Sequence, residues 1–405
     1  KNITLKMILN EKHFLPYNKE LDELTFKTKN LYNKANYIIR QEFIENGKYL
    51  SKFDMFTICK DIDEYKCIKN TRVARNVLRT LDANWKSFFS CIKKWRENKS
   101  LFNGQPKLPG YLDKNGRFIA IFFDTAILKK NKNGEIGLSQ TSIRIKPKTS
   151  GKIIEIQLIP LKNKKFKLCI IYDYKEKELK KDNKRYCSID LGINNLMTLT
   201  SNVGLQPLIV NGRPLKSINQ YYNKMLSKYQ SELPKNVFKS LKINKLTYKR
   251  ELKIDDYLHN TSKFIINYCI NNDINTIVIG YNELWKQNLN IGKKNNQNFV
   301  QIPFQKLVWM IEYKCKMNGL NFIKHEESYT SKCSSIDLEP ITKHETYLGS
   351  RIKRGLFKTL NGLIINADVN GSLNILRKAV PNVEFTNGIE DCAVNPKRVK
   401  SFKYN

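Results

Sequence analysis

The sequence is short of acid. Its 405 residues hold 37 Asp and Glu against 72 Lys and Arg, a formal net charge of +35. Charged residues in total are ordinary at 27%, so the deficit is of one sign only. A chain this basic repels itself when compact. That excludes an acidic solvating chain, argues against a neutral metabolic enzyme, and calls for a polyanionic partner, nucleic acid ahead of an anionic membrane surface. Long apolar runs are also missing. The longest uninterrupted one covers residues 118–123, far below the roughly 20 residues of a membrane span. Residues 1–9 offer no signal-peptide apolar region, and no membrane partner is expected. Closely paired cysteines are absent too. No two of Cys59, Cys67, Cys91, Cys169, Cys187, Cys269, Cys315, Cys333 and Cys392 lie within four residues, which excludes a Cys-x-x-Cys zinc knuckle. Most sit among apolar neighbours, as in Leu168-Cys169-Ile170, and read as reduced core residues of a cytosolic or nuclear protein.

What is present suffices for real cores: 41% hydrophobic and 11% aromatic residues, over a length that suggests two or three domains. Residues 3–9 read as a strand. Pro16 opens a helical stretch in which Leu21, Leu24, Leu31, Ala35, Ile38, Ile39 and Phe43 recur at helix spacing. A second helical block covers residues 70–98, with Val73, Val77, Leu78, Leu81, Trp85, Phe88 and Phe89 on its apolar side. Asn103-Gly-Gln-Pro106 and Pro109-Gly110 end this helical unit. Short strands then follow at 117–123, 142–145, 153–159 and 166–174, the last two as a hairpin. From residue 182 the pattern is mixed: strands at 186–191 and 196–200, a Lys-rich helical region over 213–272, a buried strand at 276–279, a helix over 304–317, a strand at 320–325 and a final helix over 367–378. The tail from Pro381 shows no pattern.

Two sites carry chemistry. In Ser188-Ile189-Asp190-Leu191-Gly192 an aspartate sits among apolar strand residues before a tight turn, and a lone buried carboxylate is costly unless paired or metal-bound. In Asn366-Ala367-Asp368-Val369-Asn370-Gly371 a second aspartate opens an amphipathic helix. Taken alone, Asp190 also fits an exposed sheet face, and Asp368 an acid at a helix terminus. Together they fit a two-ion site, in which cations stabilise the attacking and leaving oxygens of a phosphodiester displacement. A third carboxylate is expected from another strand end. The strand at 276–279 stops at Gly280, with Glu283 beyond it, whereas the strand at 320–325 leads into Glu326-Glu327-Ser328-Tyr329-Thr330-Ser331-Lys332.

These residues, with Gly280-Tyr-Asn and Trp285-Lys286-Gln287, Arg351-Ile-Lys-Arg-Gly355, and upstream Leu31-Tyr-Asn-Lys-Ala-Asn-Tyr37, Trp85-Lys-Ser-Phe-Phe89 and Pro106-Lys-Leu-Pro109, resemble the TnpB (OrfB) family of transposon-associated RNA-guided nucleases, and within it the relocated-glutamate branch that includes Fanzor. The resemblance implies a multidomain α+β protein. A split β-barrel wedge domain (residues 1–12 and 103–181) would carry an inserted helical recognition domain (13–102). An RNase H-like (RuvC) α/β nuclease domain (182–380) would follow, with a helical insertion at about 213–272 and a degenerate zinc-ribbon region at about 328–362, then a basic tail (381–405). It implies a monomeric RNA-guided DNA endonuclease in a ribonucleoprotein. That protein would bind an omega guide RNA, recognise a transposon-adjacent motif in double-stranded DNA, and cleave it with two Mg2+ ions at one RuvC site. The alternative is a guide-directed repressor that binds without cutting. The location would be cytoplasmic or nucleoid-associated in a bacterium, and nuclear in a eukaryotic or viral setting.

Two departures from the family pattern matter. The carboxylate that commonly ends the strand at Gly280 is missing, and Glu327 is assigned in its place beside Asp190 and Asp368 as catalytic and metal-binding. Of the family's paired ribbon cysteines only Cys333 remains. With His325 or His344 it makes a poor four-ligand set, so no structural zinc is expected. Nucleic-acid contacts are expected instead from Lys332, Arg351, Lys353 and Arg354. They are also expected from Lys86, Lys93, Lys94, Arg96 and Lys99, which interleave with aromatic residues in the helical block; a solvated helix face is the alternative reading of that set. Backbone neutralisation by such residues holds an RNA–DNA heteroduplex while base pairing reads its sequence.

Overall fold

The computed structural model describes residues 6–282, 301–386 and 393–399. Glu283, the Trp285-Lys286-Gln287 motif, Cys392 and much of the basic tail lie outside the described residues. The chain divides into two units, Lys1–Lys175 and Glu176–Asn405.

In the first unit β1 (Lys6–Leu15) leads into α1 (Lys19–Asn46), α2 (Lys52–Ile58), α3 (Asp63–Lys66) and α4 (Thr71–Glu97). Then come β2 (Ala120–Phe123), β3 (Ile127–Leu128), β4 (Ile136–Leu138), β5 (Arg144–Ile145), β6 (Ile153–Pro160) and β7 (Phe166–Lys175). Asn18 caps α1 through the Leu21 N–H, with Glu20 and Asp22 in the first turn, and Gly47 ends it at φ +66°. Asn70 caps α4 in the same way. Val73, Val77, Leu78, Leu81 and Trp85 of α4 are fully buried against Leu31, Ala35 and Ile39 of α1, and the Trp85 indole donates to Asn36 Oδ1 at 3.0 Å. The strands form an antiparallel sheet in the order β1-β7-β6-β2 and a smaller one, β3-β4-β5. The N-terminal strand therefore joins strands more than 100 residues later, and all four helices lie between β1 and β2 in the chain. Two boundaries differ from the expectation. β1 continues through Leu15, paired residue for residue with β7, rather than giving way at residue 13. β2 begins at Ala120, because the Phe118 N–H bonds to the Thr25 carbonyl and Arg117 pairs with Asp22 at 2.7 Å, both on α1.

The second unit contains β8 (Tyr186–Leu191), β9 (Asn195–Ser201), β10 (Leu208–Asn211), α5 (Arg213–Ser231), α6 (Leu241–Asn271) and β11 (Thr276–Gly280). These are followed by α7 (Phe304–Asn318), β12 (Asn321–His325), β13 (Ser350–Lys353), β14 (Leu356–Lys358), β15 (Ile364–Asn366), α8 (Ala367–Ala379) and β16 (Lys397–Val399). The six-stranded sheet runs β12-β11-β8-β9-β10-β16. β8, β9 and β10 form an antiparallel meander, while β11 and β12 run parallel to β8. This is a mixed sheet, within a multidomain α+β fold. The Lys-rich helical region consists of two helices: α5 stops before Pro234, and Ser240 caps α6 through the Ile243 N–H. No helix among the described residues is long and apolar enough to cross a membrane.

Candidate active site

Three parallel strands fix the position of the site. β8, β11 and β12 point the same way, so their carboxyl ends share one edge of the sheet, the usual location of sites in such sheets. The register pairs Ile189 with Ile279 and Gly280 with His325. Asp190 therefore lies level with Gly280, and Glu327 follows two residues beyond the matching point of β12. Asp368 arrives from above, in the first turn of α8, where Asn366 caps the helix by accepting from the Asp368 and Val369 N–H groups.

Helix α8 is fastened to the sheet beneath the carboxylates by three buried hydroxyls. The Ser188 and Thr200 oxygens are 2.7 Å apart, Thr200 and Ser372 2.9 Å, and Ser188 Oγ donates to the Ser372 carbonyl at 2.7 Å. Ser188 lies two residues before Asp190 on the same strand face, and Ser372 one turn after Asp368. The hydroxyl triad thus sets the spacing of the two aspartates. Gly371 lets Asp190 approach the helix: a Cβ there would sit 3.3 Å from Asp190 Oδ2.

Glycine 280 has a sharper reason. A Cβ at this position would fall 2.7 Å from Glu327 Oε2 and 2.4 Å from Ile375 Cδ1. The space that a side chain at the end of β11 would use is filled by the Ile375 side chain and the Glu327 carboxylate. Asn282 brackets Glu327 on both sides, accepting from its N–H at 3.2 Å and donating to Oε1 at 3.5 Å, and Thr330 donates to its carbonyl at 2.7 Å. Glu326 turns the other way, exposed and paired with Lys378 at 2.5 Å.

The electrostatics follow from crowding acids at one place. Asp190 keeps some solvent contact but is walled in by protein. Desolvation, then the charges of Asp368 and Glu327, push its carboxyl well above the usual carboxylate range, with Arg351 opposing. Burial, helped by Glu326, raises Glu327 to about 7. Asp368 accepts from the Asn195 amide at 2.6 Å and faces the Arg351 guanidinium at 3.6 Å. Arg398 of β16 in turn reaches Asn195 Oδ1 at 3.4 Å. Neither Asn195 nor the hydroxyl triad stood out in the sequence, although Asn195 follows the Asp190 turn directly. Arg351, expected as a nucleic-acid contact, lies against the carboxylates.

These three acids offer hard oxygen donors that repel one another, which suits a divalent cation. Among the described residues no three His, Cys, Asp or Glu side chains converge tightly enough to hold one ion between them. An ion that takes one or two protein carboxylates and completes its shell with water and phosphate, as Mg2+ does, would be held by such donors. Cys333 is fully buried, its thiol directed at the Thr342 carbonyl. The His344 ring lies 2.7 Å from the Pro340 carbonyl and the His325 ring 2.8 Å from that of Glu326.

The expected basic residues are distributed differently. Lys93, Lys94, Arg96 and Lys99 are exposed on α4 and just after it, with Lys99 over the Trp95 ring. Lys86 is exposed but paired at 2.8 Å with Asp82, a nearly buried acid that also holds the Tyr49 hydroxyl. Arg72, Arg75 and Arg79 were overlooked. They are exposed along α4, and the seven-residue spacing of Arg72, Arg79, Lys86 and Lys93 continues one ridge. Lys332, Lys353 and Arg354 are exposed, the last two on the β13–β14 hairpin.

Known proteins share this architecture. Residues 169–286 match the OrfB IS605 family model, described as a probable transposase, and residues 304–375 match the Cas12f1-like TNB domain. A TnpB-like protein of Acidianus two-tailed virus is 24% identical over 89% of this chain and 84% of its own length. A TnpB-like protein of Methanocaldococcus jannaschii is 28% identical over 41% of this chain and 57% of its own. The fold is similar to that of Cas12f1 in its complex with sgRNA and target DNA, with a TM-score of 0.53 at 16% identity, covering 90% of this chain and 83% of that one. Two family models tile most of the second unit, and a TnpB-like relative aligns across both units.

Proposed function

We propose that the protein is an RNA-guided DNA endonuclease that hydrolyses phosphodiester bonds at the Asp190–Glu327–Asp368 site. The observation that carries this reading is the room made for Glu327 at Gly280. A chain that had simply lost the strand-end carboxylate would have no reason to fill the vacated space with another one. Asp190, Glu327 and Asp368 would hold two Mg2+ ions, and such ions when bound activate water and stabilise the departing oxygen. The residues of the chain do the rest. Ser188, Thr200 and Ser372 fix the two aspartates, Asn195 orients Asp368, and Arg351 supplies positive charge beside the reacting phosphate.

In this reading the β1-β7-β6-β2 and β3-β4-β5 sheets form the wedge domain around the α1–α4 recognition domain. The omega RNA and its DNA target take up the +35 charge, and the basic residues of α4, Lys332, Lys353 and Arg354 contact backbone phosphate. In this reading Glu327 serves as the glutamate that the resemblance to the relocated-glutamate branch implies. RNA co-purifying with the protein, once sequenced, defines the guide, and the reconstituted complex is then offered matched duplex DNA with Mg2+. Cleavage is expected from the wild type, and its loss with binding retained from Glu327→Ala. Guide-dependent binding without wild-type cleavage would leave the repressor reading in its place.

A further inference from the structure

The lobe between β12 and α8 is clamped by two acids that the site does not use. Glu339 is nearly fully buried, at 2% exposure. Its Oε2 accepts from the Ser334 N–H at 2.6 Å and its Oε1 from the Leu348 N–H at 2.9 Å. Asp337 Oδ2 accepts from the Ser334 hydroxyl at 2.5 Å and from the Leu360 N–H at 2.9 Å. Leu348 lies two residues before β13 and Leu360 two after β14. The two carboxylates therefore grip both ends of the hairpin that carries Arg351, and tie both to Ser334, next to Cys333. The far side is fastened to α8. Asn370 donates to the Cys333 carbonyl at 2.9 Å, Asn374 to those of Thr330 and Cys333, and Arg377 to that of Glu339 at 3.1 Å.

A zinc ribbon closes such a lobe by cross-linking two turns through thiolates. Here Cys333 is the one cysteine of residues 328–362, its thiol directed at the Thr342 carbonyl, and the two turns are cross-linked by carboxylate–amide bonds instead. Charge-assisted bonds of this kind are about twice as strong as neutral ones. We propose that Asp337 and Glu339 take the place of a metal knuckle and are positioning residues for Arg351, so that this lobe folds without zinc and delivers the guanidinium to Asp368. The Arg351 part rests on the nuclease reading; the fold part does not.

The test uses the full-length chain. Zinc content is measured on protein grown with zinc, and protease resistance of residues 328–362 is followed with and without a zinc-selective chelator. Substoichiometric zinc and unchanged protection are expected. One zinc per chain, removed together with protection, would overturn the proposal. Glu339→Gln and Asp337→Asn are each expected to open the lobe to protease while the rest of the chain stays protected; wild-type protection in the double variant would also overturn it. For positioning, Arg351→Ala is compared with Arg351→Ala/Glu339→Gln in guided cleavage. Because Glu339 acts in part through Arg351, the loss from Glu339→Gln is expected to be smaller in the Arg351→Ala background than in the wild type, and equal losses in both would refute that role. If the wild type does not cut at all, the nuclease reading fails while the zinc and protease results still decide the clamp.

Discussion

The two units each gather charge of one sign, and they do so by opposite means. On α4, in the first unit, Arg72, Arg75, Arg79, Lys93 and Lys94 stand in solvent, where water and salt screen their repulsion and the helix tolerates them at small cost. In the second unit Asp190, Glu327 and Asp368 are pressed together at one sheet edge, and two of them are driven up in pKa. The exposed cluster is general: it attracts any polyanion. The enclosed cluster is specific, because only a cation or a proton relieves it.

Removing an enclosed acid should break the contrast hardest. Asp190→Ala is expected to lower guided cleavage by about a thousand-fold or more, the several kcal/mol that metal stabilisation supplies to the transition state. Target binding measured alongside should stay near wild type. The two units also differ in what holds them. Trp85 is fully buried among Phe43, Tyr49 and Phe89, and Trp85→Ala should cost about 3–5 kcal/mol in denaturant unfolding. Thr200→Val, which removes the hydroxyl bridging Ser188 and Ser372, should cost about 1–3 kcal/mol and reduce cleavage further than that loss of folded protein explains.

A titration sharpens the comparison. Glu327 is held at about 7 against 4.5 when unperturbed, so between those values the folded chain binds more protons than the unfolded one, and its stability falls as pH rises. In chelator, Glu327→Gln should melt above wild type by a margin that grows from about pH 5 to about pH 8. Added Mg2+ should close that margin; a pH-independent margin would mean that Glu327 is not enclosed. The smallest effect belongs to the exposed face. Lys93, Lys94 and Arg96 changed together to Ala should reduce the salt-dependence slope of nucleic-acid binding by about three at most. Lys86→Ala should change it less, since Asp82 already offsets that charge.

The long elements were legible because their periodicity is long. The apolar spacing of α1 and α4 and the Asn caps before them can be read residue by residue. Short strands were not: β10, β13, β14 and β16 span three or four residues each, and such segments become strands through the partners they meet. The break between α5 and α6 is marked in the sequence by Pro234, within a region that reads only as helical and Lys-rich. At the site, Asp190 and Asp368 announced themselves as acids in apolar contexts. Asn195, Ser188, Thr200 and Ser372 did not, since polar residues of these types occur throughout the chain and only contact distinguishes them. Arg351 reads as one more cation in a basic stretch until Asp368 stands opposite.

The sequence by itself determined the sign and size of the charge, the amphipathic helices, and the two aspartates too costly to bury without a purpose. These are properties of composition and local spacing, which the chain carries before it folds. Tertiary structure alone decided that Ile375 and Glu327 fill the space beside Gly280, and that Asp337 and Glu339 bind the turns of a lobe left with one cysteine. The first depends on the register of β11 against β12, and the second on bonds that join residues as far apart as Asp337 and Leu360; neither is written in local spacing.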